Sequence, residues 1–113
     1  MKKKNIIKKN IDFNRIIKNK KLLKSKYFLI FTEKKEENIP KFGFSVGTKI
    51  GNAVTRNYLK RKIKSIIDQN NYKKNFNYII MVKRSILNKK HEEIQKDLEN
   101  VLFKYKMEEE NEK

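Results

Sequence analysis

The sequence predicts a single α+β domain in which three helices pack on one β-sheet. The chain has 113 residues, which is the length of one domain with one hydrophobic core. Short aromatic and β-branched runs typical of strands alternate along it with apolar residues at helical spacing. The predicted order is helix, strand, strand, helix, strand, helix, without internal repeats. This length excludes a separate catalytic domain beside a binding domain.

The first half of the chain is predicted to contain one helix and two strands. Asn10 can cap a helix whose apolar residues recur at i, i+3 and i+4, namely Phe13, Ile16 and Ile17. The polar segment 18–26 ends this helix, and residues 27–32 (YFLIFT) predict a strand. A charged connection over 33–41 contains the single proline. In 42–47, large apolar residues alternate with small ones, which predicts a strand with one packed face and one bare face.

The second half is predicted to contain two helices around a buried strand. After Gly51 and Asn52 a helix extends to about Asp68, with core-facing residues Leu59, Ile63, Ile66 and Ile67. The continuous apolar run 78–82 (YIIMV) predicts a strand that is buried on both faces. A last helix from about Lys89 repeats the same i, i+4, i+7, i+8 spacing with Ile94, Leu98, Val101 and Leu102.

The charge of the chain indicates a polyanionic partner. Lys and Arg number 30 against 13 Asp and Glu, a formal net charge of +17. We expect one RNA-binding domain over 1–106, opening with a flexible basic arm (1–9), and an acidic, disordered tail over 107–113. Self-repulsion of this size destabilises a fold unless a polyanion relieves it, so nucleic acid is the expected partner. Mutational bias in an AT-rich genome, which enriches Lys, Asn and Ile, is the alternative source of the charge.

Several function classes are excluded by composition. The chain has no Cys, which excludes disulfides, thiol catalysis and cysteine–metal sites. The basic N-terminus lacks the apolar stretch of a signal peptide, and the longest apolar run, 27–31, is too short to cross a bilayer. We therefore expect a cytoplasmic protein without a membrane partner. The one histidine, His91, lies beside two glutamates and is expected at the surface, and the scattered acids form no catalytic pair or metal site.

The central helix carries a basic stripe beside its core face. At about 100° per residue, four side chains fall on one arc roughly 100° to 200° from Leu59: Asn57, Lys60, Arg61 and Lys64. Arg forks onto phosphate oxygens, Lys supplies a mobile charge, and Asn bonds a phosphate, a 2′-hydroxyl or a base edge. The stripe therefore favours RNA binding, with an ordinary solvated helix face as the alternative.

Aromatic and small residues form two further patterns. Apolar surface near basic side chains is expected from Phe13, Ile17 and Phe31. Proteins that bind single-stranded nucleic acid have such surfaces, although packing in the core is the alternative role of these residues. The glycines at 43, 47 and 51 lack the Gly-Lys-Ser/Thr of a phosphate-binding loop. They are expected where strands or ligands approach closely.

The segment FGFSVGTKIGNAVTRNYLKRKIKSII (42–67) resembles the signature region of the bacterial ribonuclease P protein component. In that family a strand with small residues leads through G-N-A-V-x-R-N, here Gly51–Asn57, into a basic helix. The resemblance extends over nearly the whole chain, including the basic arm, the segment Lys9–Phe13 and the final helix. It implies an α+β domain whose sheet and first helix form a cleft. It also implies a left-handed crossover that carries the signature helix between two parallel strands.

The resemblance further implies a non-catalytic subunit that binds 1:1, as a monomer, to a large catalytic RNA. That RNA holds the Mg²⁺ ions, and the protein holds the 5′ leader of precursor tRNA in its cleft. The positions matching the family's contacts to catalytic RNA are Lys49, Asn52, Arg56, Asn57, Lys60, Arg61 and Lys64. The positions matching its leader cleft are Phe13, Ile17 and Phe31.

This chain departs from the family pattern at four positions. Tyr58 occupies the position of the second Arg of an R-N-R triplet. Lys64 replaces a common Arg, so the pair of hydrogen bonds that a guanidinium donates to a phosphate is lost. Ile17 and Phe31 replace a usual Phe and Tyr, which removes a stacking surface and a hydroxyl.

Two other classes of nucleic-acid-binding protein fit the composition. A ribosomal RNA-binding protein would use the same basic helix, and a nucleoid protein would aim a helix at the DNA major groove and usually dimerise.

Overall fold

The computed structural model describes residues 1–18, 21–70 and 72–111, with the backbone alone for 103–111. The α-helices in these ranges are α1 (Asn10–Lys18), α2 (Ala53–Asp68) and α3 (His91–Asn111). The strands are β1 (Leu22–Lys24), β2 (Phe28–Lys34), β3 (Lys41–Ser45) and β4 (Phe76–Val82). Short 3₁₀ turns cover Lys3–Asn5, Thr48–Ile50 and Arg84–Ile86. The predicted α+β class is confirmed.

The four strands form one mixed sheet in the order β1-β2-β4-β3. β2 pairs antiparallel with both β1 and β4, while β3 and β4 are parallel. Parallel neighbours need a crossover connection, and α2 provides it. The chain therefore contains the β3–α2–β4 crossover that the resemblance implies; its left-handedness stays a prediction.

The two faces of the sheet have different partners. On one face Phe28, Ile30 and Ile80 belong to a core cluster that includes the apolar faces of α2 and α3. Ile16 of α1 and Ile79 of β4 are completely buried yet lie outside this cluster. Side chains alternate along a strand, so Ile79 points to the opposite face, where α1 contacts β2 and β4. Because β4 lies between two strands and is covered on both faces, its apolar run is continuous.

The first difference from the sequence prediction is β1. Its three residues lie in the polar segment 18–26 and pair with β2 through Leu22↔Phe31 and Lys24↔Leu29. Leu22 and Leu23 give too short an apolar signal for a strand of period two to be recognised. Pairing with the long neighbouring strand β2 stabilises β1.

The second difference concerns residues 1–9, which the sequence predicts as a flexible arm. The Ile7 amide donates to the Phe42 carbonyl at 2.8 Å, and Asn5 Nδ2 donates to the Pro40 carbonyl at 2.7 Å. The Met1 amino group forms an ion pair with Asp68 Oδ2 at 2.7 Å. The arm is therefore docked along β3, an edge strand whose free backbone groups accept another segment.

The third difference concerns the expected disordered tail at 107–113. The backbone of α3 continues through Asn111, so helix covers most of this segment. Lys, Glu and Met have high helix propensity, and no Gly or Pro interrupts the last turns. Residues 112 and 113 lie outside the described part of the chain.

Candidate nucleic-acid interface

The basic stripe of α2 forms one surface. A shallow depression of about 470 Å³ is lined by Val54, Asn57, Lys60, Arg61 and Lys64. We call this surface the α2 ridge. Four of its five residues are those the helical spacing brings together, so their predicted grouping matches the structure. Val54, 76% exposed, is the apolar member that sequence reasoning missed.

The α2 ridge exists because opposite sides of one helix have different environments. Leu59, Ile63, Ile66 and Ile67 are buried, which orients α2 on the sheet and leaves the ridge at the surface. The Lys64 ammonium lies 5.5 Å from the centre of the Phe44 ring, a cation–π contact to β3. This contact holds one ridge cation beside the sheet edge.

The other predicted RNA-contacting residues lie near the start of α2 but outside the ridge. Lys49 is exposed on the turn Thr48–Ile50. Asn52 caps α2, because its Oδ1 accepts from the Thr55 amide at 2.9 Å. Arg56 is half-buried, and its Nε is buried without a hydrogen-bond partner among the described residues. Asn52 is thus a structural cap in addition to any contact it makes with RNA.

Tyr58, the departure from the R-N-R triplet, borders the α2 ridge without lining its depression. Its ring is 52% exposed, and the Lys62 ammonium lies 4.7 Å from the ring centre. Residues four apart on a helix are neighbours, which accounts for this pair. The triplet position therefore presents an aromatic ring with a cation beside it.

The predicted cleft residues lie on the α1 side of the sheet. Phe13 and Ile17 are half-buried and one helical turn apart on α1. Phe31 is also half-buried, and it points to this face because Ile30 and Thr32, its neighbours on β2, face the core. We call the surface of Phe13, Ile17 and Phe31 the α1 cleft. Its members are outside the main core cluster.

Gly43 determines how closely α1 approaches β3. A β-carbon built on Gly43 would lie 2.5 Å from Phe13 Cε2, closer than any ordinary contact. Gly43 pairs with Ile79, which pairs on its other side with Phe31. Phe13 thus covers the small-residue face of β3, which the sequence predicts as bare, and lies over the same row of the sheet as Phe31.

An ionic network fastens α1 to the sheet. Arg15 Nε and Nη2 donate to the Glu33 carboxylate at 2.9 and 3.0 Å, and Nη1 donates to Asp12 at 2.7 Å. Asn77 Nδ2 also donates to Glu33, at 2.9 Å, and Lys35 Nζ donates to Asn77 Oδ1 at 2.8 Å. The hydrogen bonds from Arg15 lower the pKa of Glu33 and raise that of Arg15. No spacing in the sequence indicates this network, since its members come from three elements.

Neither a metal site nor a membrane segment emerges from the described residues. No group of three or more His, Cys, Asp or Glu side chains in them could hold a metal ion. Within the same residues, no helix is long and apolar enough to cross a membrane.

Comparisons with known proteins agree with the fold. The family model "Ribonuclease P" matches residues 1–106. The chain is 43% identical over 99 residues to the ribonuclease P protein component of Mycoplasma capricolum, covering 85% of this chain and 91% of that one. It is also similar to the RNase P protein of Staphylococcus aureus, with a TM-score of 0.81, 31% identity and coverage of 90% and 95%.

The RNase P protein of Thermotoga maritima has the same fold, with a TM-score of 0.75 and 27% identity over 80% of this chain and 88% of that one. A family match over nearly the whole length, together with relatives above 30% identity, identifies the family. The chain belongs to the ribonuclease P protein family, the protein subunits of the ribonucleoprotein enzyme that cleaves precursor tRNA.

Proposed function

We propose that this chain binds the ribonuclease P RNA through the α2 ridge and the 5′ leader of precursor tRNA through the α1 cleft. The main support for RNA binding is the depression on α2, which brings together one amide and three cationic side chains. Arg61 can donate two hydrogen bonds to phosphate oxygens, Lys60 supplies a mobile charge, and Lys64 supplies a charge held beside Phe44. Asn57 can bond a phosphate, a 2′-hydroxyl or a base edge. This set suits an RNA backbone.

The role of the protein in this proposal is binding, and the catalytic chemistry belongs to the RNA. Mg²⁺ is expected on the RNA subunit, in keeping with the family resemblance. Positive charge on the protein raises affinity for both RNA partners and reduces the magnesium needed to hold them together. We further propose one copy of the chain per RNA and a cytoplasmic location, where tRNA precursors are made.

The α1 cleft suits an unpaired leader better than a duplex. Phe13 and Phe31 offer aromatic surface, on which bases of any sequence can stack. With Ile17 in place of a usual Phe, one stacking position is lost, so we expect charge to contribute more to leader binding here.

Phe13→Ala is expected to weaken binding of leader-bearing precursor more than binding of mature tRNA. Equal losses for both ligands would assign Phe13 to packing alone.

Reconstitution tests the proposed function directly. The purified chain is combined with the ribonuclease P RNA of the same organism and labelled precursor tRNA at low and high magnesium. We expect 5′-leader cleavage at low magnesium with both components, and none with the protein alone. Absence of any effect of the protein at either magnesium concentration would contradict the proposal. Co-purification with ribosomal subunits would instead support a ribosomal role.

A double substitution tests the α2 ridge itself. Lys60→Ala with Arg61→Ala is expected to weaken RNA binding and flatten its salt dependence, by roughly 0.9 in log–log slope per lost phosphate contact at duplex-like sites. Lys89→Ala with Lys96→Ala is a control for charge, since both lysines are exposed and outside the ridge. An equal slope for the two double variants would place the RNA contact elsewhere.

A further inference from the structure

A second basic surface lies between the docked N-terminal arm, α1 and the edge of the sheet. It is a cavity of about 410 Å³, within the range of ordinary ligand pockets. We call it the arm pocket. Its lining contains seven cationic side chains against two carboxylates, those of Asp12 and Glu37. Besides Arg15, the cations are Lys3, Lys4, Lys8, Lys9, Lys35 and Lys41.

The carboxylates of the protein neutralise these lysines only in part. Arg15 is saturated by Asp12 and Glu33, whereas none of the six lysine ammonium groups forms a salt bridge with a carboxylate of the described residues. Burial, followed by the nearby charge of Lys41, lowers the pKa of Lys35, and the charges of Glu37 and Glu33 oppose this shift only in part. A lysine that is partly desolvated next to another cation is stabilised when an anion enters. The arm pocket therefore has an excess of positive charge that an anion would neutralise.

The fold creates this pocket by docking the arm. Hydrogen bonds from Asn5 to the Pro40 carbonyl and from Ile7 to the Phe42 carbonyl hold the arm on β3. Their geometry brings the lysines at 3, 4, 8 and 9 opposite Lys35 and Lys41. Like charges brought together in this way oppose docking unless a counter-charge lies between them.

The arm pocket and the α1 cleft lie on opposite sides of α1. Asp12, Arg15 and Ile16 line the pocket, whereas Phe13 and Ile17 do not. At about 100° per residue, Asp12 and Arg15 lie to one side of the buried Ile16, and Phe13 and Ile17 lie to the other.

The sheet rows agree with this separation. Lys41 and Asn77, which line the pocket, pair with each other in one row. Gly43 and Phe31 belong to a different row, on either side of Ile79. The arm pocket and the α1 cleft are therefore separate surfaces, whose rows lie two residues apart along β3 and β4.

We propose that the arm pocket binds a phosphate group, in addition to the surfaces that we assign to catalytic RNA and leader. Phosphate oxygens accept hydrogen bonds from several ammonium groups at once, and such charge-assisted bonds are the strong ones. The phosphate can belong to an RNA backbone or to a free inorganic ion. The RNA source rests on the proposed function, and the free-ion source does not.

The first experiment uses the full ¹⁵N-labelled chain and inorganic phosphate at constant ionic strength. We expect saturable chemical-shift changes at the Ile7 and Lys35 amides and at the Asn77 side-chain amide. Lys35→Gln with Lys41→Gln should weaken the apparent phosphate affinity at least tenfold. Lys89→Gln with Lys96→Gln, the matched control on exposed lysines outside the pocket, should leave it unchanged. Small linear shifts alike in all three proteins would overturn the proposal.

A second variant covers the case in which the loss of Lys35 disturbs the fold, since Lys35 bonds Asn77. Lys8→Gln with Lys9→Gln changes two exposed side chains on the other wall of the pocket. A native-like spectrum with weakened phosphate binding is the expected result. A native-like spectrum with undiminished binding would contradict the assignment.

The source of the phosphate is decided by RNA binding. For an RNA phosphate, the Lys8→Gln/Lys9→Gln variant should bind the ribonuclease P RNA or the precursor with a smaller salt slope than the Lys89→Gln/Lys96→Gln control. An equal slope, with saturable phosphate binding in the unaltered chain, would exclude RNA and assign the site to the free ion. Failure of the chain to bind any RNA would overturn the proposed function while leaving the phosphate titration interpretable.

Discussion

Gly43 and Gly47 lie four residues apart but differ in what a β-carbon would contact. At Gly43 it would meet the Phe13 ring at 2.5 Å, whereas nothing lies within 4 Å at Gly47. Gly43→Ala is expected to displace α1 or the ring and to lower the free energy of unfolding by about 1–3 kcal/mol, as overpacking does. Urea unfolding measures this effect. Gly47→Ala is the control, with an expected change within about 0.5 kcal/mol. Equal effects would show that Phe13 moves freely.

Asn52 serves as a helix cap and is also a predicted RNA contact, and two substitutions separate these roles. Asn52→Ala removes the acceptor for the Thr55 amide and should cost about 1 kcal/mol of stability. Asn52→Asp keeps an acceptor there, so stability should be retained, while its negative charge should weaken RNA binding. Thermal unfolding and RNA affinity are measured for both variants. Undiminished RNA binding by Asn52→Asp would exclude a nearby phosphate.

At the scale of elements, α1 depends on the pair between Arg15 and Glu33. Hydrogen bonding to Arg15 lowers the pKa of Glu33 from its usual 4.5. The carboxylate therefore stabilises the fold at pH above about 4.5. This contribution is lost as the pH falls through the lower pKa of the folded state. Because Arg15 is half-exposed, we expect a contribution below about 1 kcal/mol.

Glu33→Gln tests this dependence. The variant should lose stability at pH 6–7 and should lose less than the unaltered chain between about pH 5 and pH 3. Unfolding by urea across this pH range supplies the measurement. Glu92→Gln, an exposed carboxylate at the start of α3, is the matched control. Parallel pH profiles for Glu33→Gln and the unaltered chain would show that the ion pair does not stabilise α1.

At the scale of the whole molecule, a formal charge of +17 acts on every element at once. Self-repulsion destabilises the compact state, and added salt screens it over a Debye length of about 10 Å at 0.1 M. We therefore expect the free energy of unfolding to rise with sodium chloride concentration, measured with uncharged urea as denaturant. Lys89→Gln with Lys96→Gln should reduce this dependence. Stability independent of salt would show that the charges are too far apart to repel.

Much of this architecture follows from the sequence because its causes are local. The spacing of Leu59, Ile63, Ile66 and Ile67 defines the buried side of α2 and so places Asn57, Lys60, Arg61 and Lys64 together. The continuous apolar run in β4 indicates burial on both faces, since it reflects coverage of the strand from both sides. Helical and strand periods are properties of adjacent residues, and one chain is enough to detect them.

The sequence by itself thus determined the fold class, the α2 ridge and the family resemblance, whereas only the tertiary structure decided what lies around α1. The pairing of β1, the docking of the arm on β3 and the Arg15–Glu33 network join residues far apart in the chain. No period encodes such contacts, because they depend on which edge and which face remain free once the core has formed. The arm pocket exists for the same reason, since its lysines become neighbours only when arm, helix and sheet meet.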